Sequence, residues 1–316
     1  MNALTVGRKI RASASLGDSR GDSLRLGLFH FRIALARAIG IPMPGPVVVR
    51  LAPDGHEMII SDDGELAVLH EVLLHQQYEV VADPAVIVDL GANVGFATLY
   101  FSRRYPEARI VAVEADPNTY SRLVQNVQRL PRVTTYNAAM SSRRGKVKFY
   151  CSSSSSIGSA LSRQSELDRE VDVDGMTLGD LLAVAEIARV DLLKIDIEGA
   201  EVELLENAPL DAVDEIVAEL HFTHPDVDTA TISTLLADFE LEFSQNSDPD
   251  FGFVRACRPT LARPKHERRS VKDRRSGADR RSREELRWPV GDERRAGTGR
   301  RVGADRRRPL TGPTRT

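Results

Sequence analysis

Val86-Ile87-Val88-Asp89-Leu90-Gly91-Ala92-Asn93-Val94-Gly95 is the stretch on which the reading of this chain turns. Its first half is a short apolar run rich in β-branched residues, the signature of a parallel strand buried on both faces. An acid closes the run, and two glycines four apart make a turn into a helix expected over residues 96–104. The same alternation extends outward. Strands are expected at 109–113, 133–136, 192–195 and 215–220, with helices at 117–128, 200–207 and 228–238. Residues 240–243 and 253–257 read as a closing antiparallel pair. Strands alternating with helices at this spacing predict an α/β fold with a doubly wound sheet and helices on both faces.

The flanks differ from this core. Residues 1–22 are polar and aperiodic and are expected to be a disordered arm. Residues 23–82 read as an extension. It has an amphipathic helix with Leu24, Leu28, Phe31, Leu35 and Ile39 on its apolar face, Ser23 as N-cap and Gly40 as stop. The preferred reading packs this helix on the domain edge, although Arg25, Arg32 and Arg37 also suit a membrane surface. A hairpin over 47–51 and 57–60 and a helix over 65–78 follow. His70 and His75 in that helix are five apart and do not share a face, so they are not a zinc-protease motif. The main domain is expected over 83–258. Its serine run, Ser152 to Ser156, is either a linker or a lid over substrate. Residues 259–316 form a low-complexity tail with paired arginines every six residues, expected to be disordered.

Charge follows the same division. The 316 residues hold 43 Lys/Arg and 46 Asp/Glu, but 20 of the basic and only 8 of the acidic residues lie from Arg258 onward. The body is acidic and the tail basic; its paired arginines suit nucleic acid, anionic lipid or an acidic partner, or no specific ligand at all. Two cysteines far apart suggest neither a disulfide framework nor a zinc cluster, and a cytoplasmic location is expected. No apolar run is long enough to span a bilayer.

Ligands of open α/β sheets bind at the carboxyl ends of the strands, where the Asp89 loop lies. A dinucleotide loop would read G-x-G-x-x-G and present helix N–H groups to a pyrophosphate. Here an acid precedes glycines four apart, which suits the cationic amino group of S-adenosylmethionine better than a phosphate. Glu114, at the end of the second strand, can accept both hydroxyls of a ribose. Asn137 and Ala138, after the third strand, leave room for a flat adenine ring. Asp196, Glu198 and Glu201 crowd around Gly199 after the fourth strand and require a cation such as the sulfonium, a substrate amine, Lys194 or a metal. Glu219 and His221 share one side of the fifth strand by alternation. His221 reads as a proton acceptor or as a hydrogen-bonded structural residue. A divalent-metal site from Asp196, Glu198, Glu219 and His221 is the weaker reading, and no metal is assigned.

Taken in order and spacing, Asp89 to Gly95, Glu114 to Asn118, Asn137 to Ala139, 192–201 and Glu219 to His221 resemble the FkbM-type methyltransferases. The Lys-x-Asp-x-Glu-Gly-x-Glu piece from Lys194 to Glu201 is the most family-specific part, and the resemblance spans about residues 65–243. It implies a Rossmann-like class I methyltransferase sheet and methyl transfer from S-adenosylmethionine, usually to a hydroxyl oxygen of a small molecule, sugar or glycan. By position, Asp89, Gly91, Asn93, Gly95 and Glu114 would hold the cofactor, while Asp196, Glu198, Glu219 and His221 would face the acceptor. On this reading His221 is the first choice of base and Asp196 the second. A nucleotide-binding oxidoreductase and a scaffold acting through the arginine tail are the rival readings.

Overall fold

The computed structural model describes residues 3–74, 78, 80, 83–151, 169–222, 227–245 and 250–259. Helices α1 (Ala3–Ala14) and α2 (Arg20–Ile39) precede a hairpin of β1 (Val47–Leu51) and β2 (His56–Ile60), then α3 (Asp63–Leu73). The alternating core follows as β3 (Val86–Leu90), α4 (Phe96–Arg104), β4 (Arg109–Glu114), α5 (Pro117–Val127) and β5 (Val133–Asn137). A small insertion holds β6 (Ala139–Met140), β7 (Gly145–Cys151) and β8 (Arg169–Met176). The core resumes with α6 (Leu178–Val184), β9 (Val190–Ile195), α7 (Glu201–Asn207), β10 (Val213–His221), α8 (Thr229–Leu235), β11 (Glu240–Gln245) and β12 (Phe251–Cys257).

Strand order in the seven-stranded sheet is β11-β12-β10-β9-β3-β4-β5. The five strands β5, β4, β3, β9 and β10 are mutually parallel, and β12 and β11 close the edge antiparallel. The fold is therefore a Rossmann-like α/β sheet, as its residues predict. Alternation along each strand feeds two cores. Val88, Leu90, Val111, Val113, Leu193, Ile195, Ile216 and Ala218 pack against α6, α7 and α8. Ile87, Ile110, Leu192 and Val217 point the other way, toward α2, α3, α4 and the hairpin. Each fully buried aliphatic side chain contributes about 1.5–3 kcal/mol. Order reverses between β3 and β9, so a crevice opens at their carboxyl ends.

The amino-terminal region departs from expectation. Residues 3–22 are not an aperiodic arm: α1 is helical, and Ala12, Ser13 and Leu16 are buried. Helix α2 starts earlier than Ser23, with Ser19 accepting the Asp22 N–H at 3.1 Å as N-cap; Gly40 does close it. The face is also reversed. The helix buries Leu26, Phe29, Ile33 and Ala36, whereas Leu24, Leu28, Phe31, Leu35 and Ile39 are exposed. Both stripes obey three- and four-residue spacing, and the one that holds Leu26 packs toward α1, β1 and α3. Helix α3 ends at Leu73, well before residue 78. Its Glu65 is ion-paired with Arg122 of α5, and Asn126 of α5 accepts the Ile59 N–H at 2.9 Å, so the extension is sewn to the main domain.

The insertion strands β7 and β8 and helix α6 were not expected from the sequence. The serine run from residue 152 and the arginine-rich tail from residue 260 lie outside the described residues. Cys151 and Cys257 are free thiols, both buried. Among the described residues, no helix is long and apolar enough to cross a membrane.

The two faces of α2 give a paired prediction. Leu26→Ala loses about 2–5 kcal/mol of stability in denaturant melts, whereas Leu24→Ala stays within about 0.5 kcal/mol of the parent. Equal losses would mean that α2 packs by the other face.

Candidate functional site

The crevice at the end of β3 is built around a buried ammonium. Lys194 of β9 is 2% exposed, and its Nζ lies 3.3 Å from Asp89 Oδ1 and 3.3 Å from Asp196 Oδ2. It also donates to the carbonyls of Gly91 at 2.8 Å and Leu90 at 3.3 Å, with the Tyr78 ring 5.7 Å away. Burial works to lower the Lys194 pKa, but Asp196 and Asp89 outweigh it and hold the ammonium charged. Asp89 is wholly buried, and its Oδ2 accepts a hydrogen bond from Thr98 Oγ1 at 2.7 Å. A carboxylate with no exposed surface, paired with an internal cation and accepting from a hydroxyl, anchors the loop.

The glycine turn is required by close approach. Gly91 has φ +72°, and a Cβ there would lie 1.7 Å from the Asp196 carbonyl oxygen. Gly95 has φ +98°, and a Cβ would come within 2.8 Å of Val127. Asn93, also left-handed at φ 49°, turns its backbone N–H to Glu114 Oε2 at 2.9 Å. Glu114 Oε1 accepts the Asp116 N–H at 2.8 Å. Each Glu114 oxygen thus accepts one backbone donor and keeps a further lone pair, which suits the two hydroxyls of a ribose. Burial pushes the Glu114 carboxyl up to about 7, against the pull of these two donors.

Asn137 sits at the mouth and braces the end of β4, its Nδ2 donating to the carbonyls of Glu114 at 2.8 Å and Ala115 at 3.0 Å. Ala138 does not line an open slot. It is 2% exposed and packs into the core.

At the ends of β9 and β10 the geometry assembles the expected acids. One ligand-type atom from each of Asp196, Glu198 and His221 lies within 4.8 Å of the others. His221 Nε2 is 3.2 Å from Glu198 Oε2, and its Nδ1 is 3.0 Å from Glu201 Oε1. Glu201 also accepts the Gly199 N–H at 3.0 Å. Burial alone would lower the His221 pKa, but the two carboxylates push it up to about 11. Both ring nitrogens of His221 face carboxylates, which favour the protonated imidazolium over the neutral ring. Its pKa is raised, so the stability it contributes is full below about pH 6.5 and is lost as pH climbs toward about 11.

Glu219 is only partly buried. Burial and the charge of Asp196 raise its carboxyl to about 8. Two further residues belong here that the sequence reading did not assign. Glu71 of α3 has its pKa raised by partial desolvation and by Asp196, while its side chain keeps solvent-exposed surface. Tyr78 is buried among Asp196, Glu219, Asp89 and Glu71, which together with burial raise its hydroxyl pKa well above the usual value.

A doubly wound sheet with an acid at the ribose position and an acidic crevice beside it defines a Rossmann-like methyltransferase. The chain belongs to the FkbM methyltransferase family: the model described as "Methyltransferase FkbM domain" matches residues 89–257, just over half of the chain. It is 29% identical to "Methyltransferase 1" of Beauveria bassiana over 54% of this chain and 79% of that protein. It is 26% identical to "Hexuronic acid methyltransferase AglP" of Haloferax volcanii over 55% of this chain and 71% of that one. It is 29% identical to "2-O-methyltransferase NoeI" of Sinorhizobium fredii, over 39% of this chain and 56% of that protein. The chain is an S-adenosylmethionine-dependent methyltransferase, which sets aside the oxidoreductase and scaffold readings.

The His221 clasp carries a stability prediction. His221→Ala leaves Glu198 and the buried Glu201 without their shared cation and costs about 3 kcal/mol in equilibrium unfolding. An unchanged midpoint would show that no imidazolium is held there.

Proposed function

We propose that this enzyme methylates a hydroxyl oxygen of a sugar, glycan or other small hydroxylated molecule, and that it works in the cytoplasm. What carries the reading is the pairing of a ribose-type acceptor, Glu114, with a cluster of partly exposed carboxylates at the adjoining strand ends. The names of two relatives, a hexuronic acid methyltransferase and a 2-O-methyltransferase, support the acceptor class.

The residues fit the cofactor. Glu114 would hold the ribose hydroxyls, and the turn from Gly91 to Gly95 would let the ligand approach the backbone closely. Asn137 would edge the base. The negative charge of Asp196 and Glu198 suits a cationic ligand. When bound, S-adenosylmethionine supplies the electrophilic methyl group.

The chain's own work is to align the acceptor, exclude water and take up a proton. Glu219 is the best base: it is partly exposed, and a carboxyl raised to about 8 is close to the strength wanted near neutral pH. Asp196, steered by Lys194, orients the acceptor hydroxyl. Glu198 is oriented by His221, which acts as a positioning residue.

The pKa directions set the pH behaviour. Glu114 must be ionised to accept two hydroxyls, so calorimetry finds that S-adenosylhomocysteine binding tightens as pH rises and levels off above about 7. Glu114→Gln weakens binding by about 10- to 100-fold and flattens that slope. Tight, pH-dependent binding in the variant would remove Glu114 from the site.

Glu219→Gln keeps S-adenosylhomocysteine binding but lowers kcat by about 10²- to 10⁴-fold. In the wild type, kcat/KM rises with pH through about 8, in line with the Glu219 carboxyl. Near-normal turnover of Glu219→Gln on a methyl-accepting sugar would transfer the base role to another group.

A further inference from the structure

Helix α2 exposes an apolar face that the fold does not use. Leu24, Leu28, Phe31, Leu35 and Ile39 are each between 39% and 68% exposed. Helical geometry at 3.6 residues per turn gathers all five into an arc of roughly 80°, along a helix about 30 Å long. Ile41 and Met43, just past the Gly40 cap, are about half exposed as well. A stripe of this size on one convex element marks an interaction surface rather than scattered exposure.

Charge narrows the occupant. Arg25 and Arg32 line one edge of the stripe, and both are exposed. Arg8 and Arg11 are exposed on α1, which packs beside α2. Residues 1–43 hold seven Lys/Arg against two Asp/Glu, whereas residues 44–257 hold 16 against 36. Within residues 1–257, cationic charge is thus concentrated on the region that also exposes the apolar stripe. A second copy docked through the same stripe would bring Arg25 and Arg32 toward their own counterparts. The tail from residue 260 is itself strongly basic, and its few large apolar residues, such as Leu286, Trp288 and Val290, are scattered among charges. Neither suits a cationic apolar ridge. A bilayer surface with anionic headgroups suits both of its properties.

We propose that α2 is a peripheral membrane-docking helix, lying in the plane of an anionic lipid interface with its Leu24–Ile39 face in the headgroup boundary and Arg25 and Arg32 on lipid phosphates. This stands apart from the reading of the catalytic site. It brings the enzyme to acceptors held at or near a membrane surface.

The test is flotation of the full-length protein with vesicles of phosphatidylcholine alone and of about one-third phosphatidylglycerol in phosphatidylcholine. Binding is expected to the anionic vesicles, and to fall by about fivefold for each of Arg25→Gln and Arg32→Gln. Phe31→Ser/Leu35→Ser is expected to abolish it, while thermal melting and S-adenosylhomocysteine binding stay at wild-type values because both side chains are exposed. Three results would overturn the proposal. One is no flotation with anionic vesicles. Another is undiminished flotation of the double variant, which would assign lipid binding to the basic tail. The third is a wild-type dimer in sedimentation that the double variant dissolves, which would make a second copy the occupant.

Discussion

A single buried ammonium holds the crevice of this protein together. Lys194 is out of water, and isolating such a charge would cost several kcal/mol. Asp89 on one side, Asp196 on the other and two backbone carbonyls of the glycine turn meet it there. These partners come from β3 and β9, the two strands between which sheet order reverses. The ion therefore ties together the two chain segments that leave these strands on either side of the crevice. Gly91 lets the turn press against the Asp196 carbonyl, and that contact leads to the Asn93 N–H that fixes Glu114.

A second cation repeats the device. His221 sits between Glu198 and Glu201, so two acids that would repel each other are drawn around one imidazolium. The acids of the crevice thereby fall into two groups. Asp89 and Glu201 are wholly buried and hold the frame, while Asp196, Glu198 and Glu219 keep accessible surface. The chemistry is left to the second group. Raised carboxyl pKa values at Glu114 and Glu219 follow from the same low-dielectric setting.

The fold was legible because its signals are local. An apolar β-branched run, a glycine turn and a periodic helix are each written within ten residues, and Val86–Leu90 and Phe96–Arg104 came out at the expected bounds. What failed depends on partners distant in sequence. Lys194 meets Asp89 from over a hundred residues away, and Glu201 reaches the Nδ1 of His221 only in the folded chain. Helix α2 carries two apolar stripes at helical spacing, and nothing local says which one is buried. Glu71 could not be placed in the crevice because its helix belongs to the extension, whose docking is set by contacts such as Arg122 with Glu65. The insertion strands escaped notice because a serine run interrupts them.

The most direct test of the account is a crystal structure of the protein with S-adenosylhomocysteine. The account places the ribose hydroxyls on Glu114, the ligand against the turn from Gly91 to Gly95, and leaves Lys194 on Asp89 and His221 between Glu198 and Glu201. A ligand bound away from Glu114, or one whose amino group displaces Lys194 from Asp89, would contradict it.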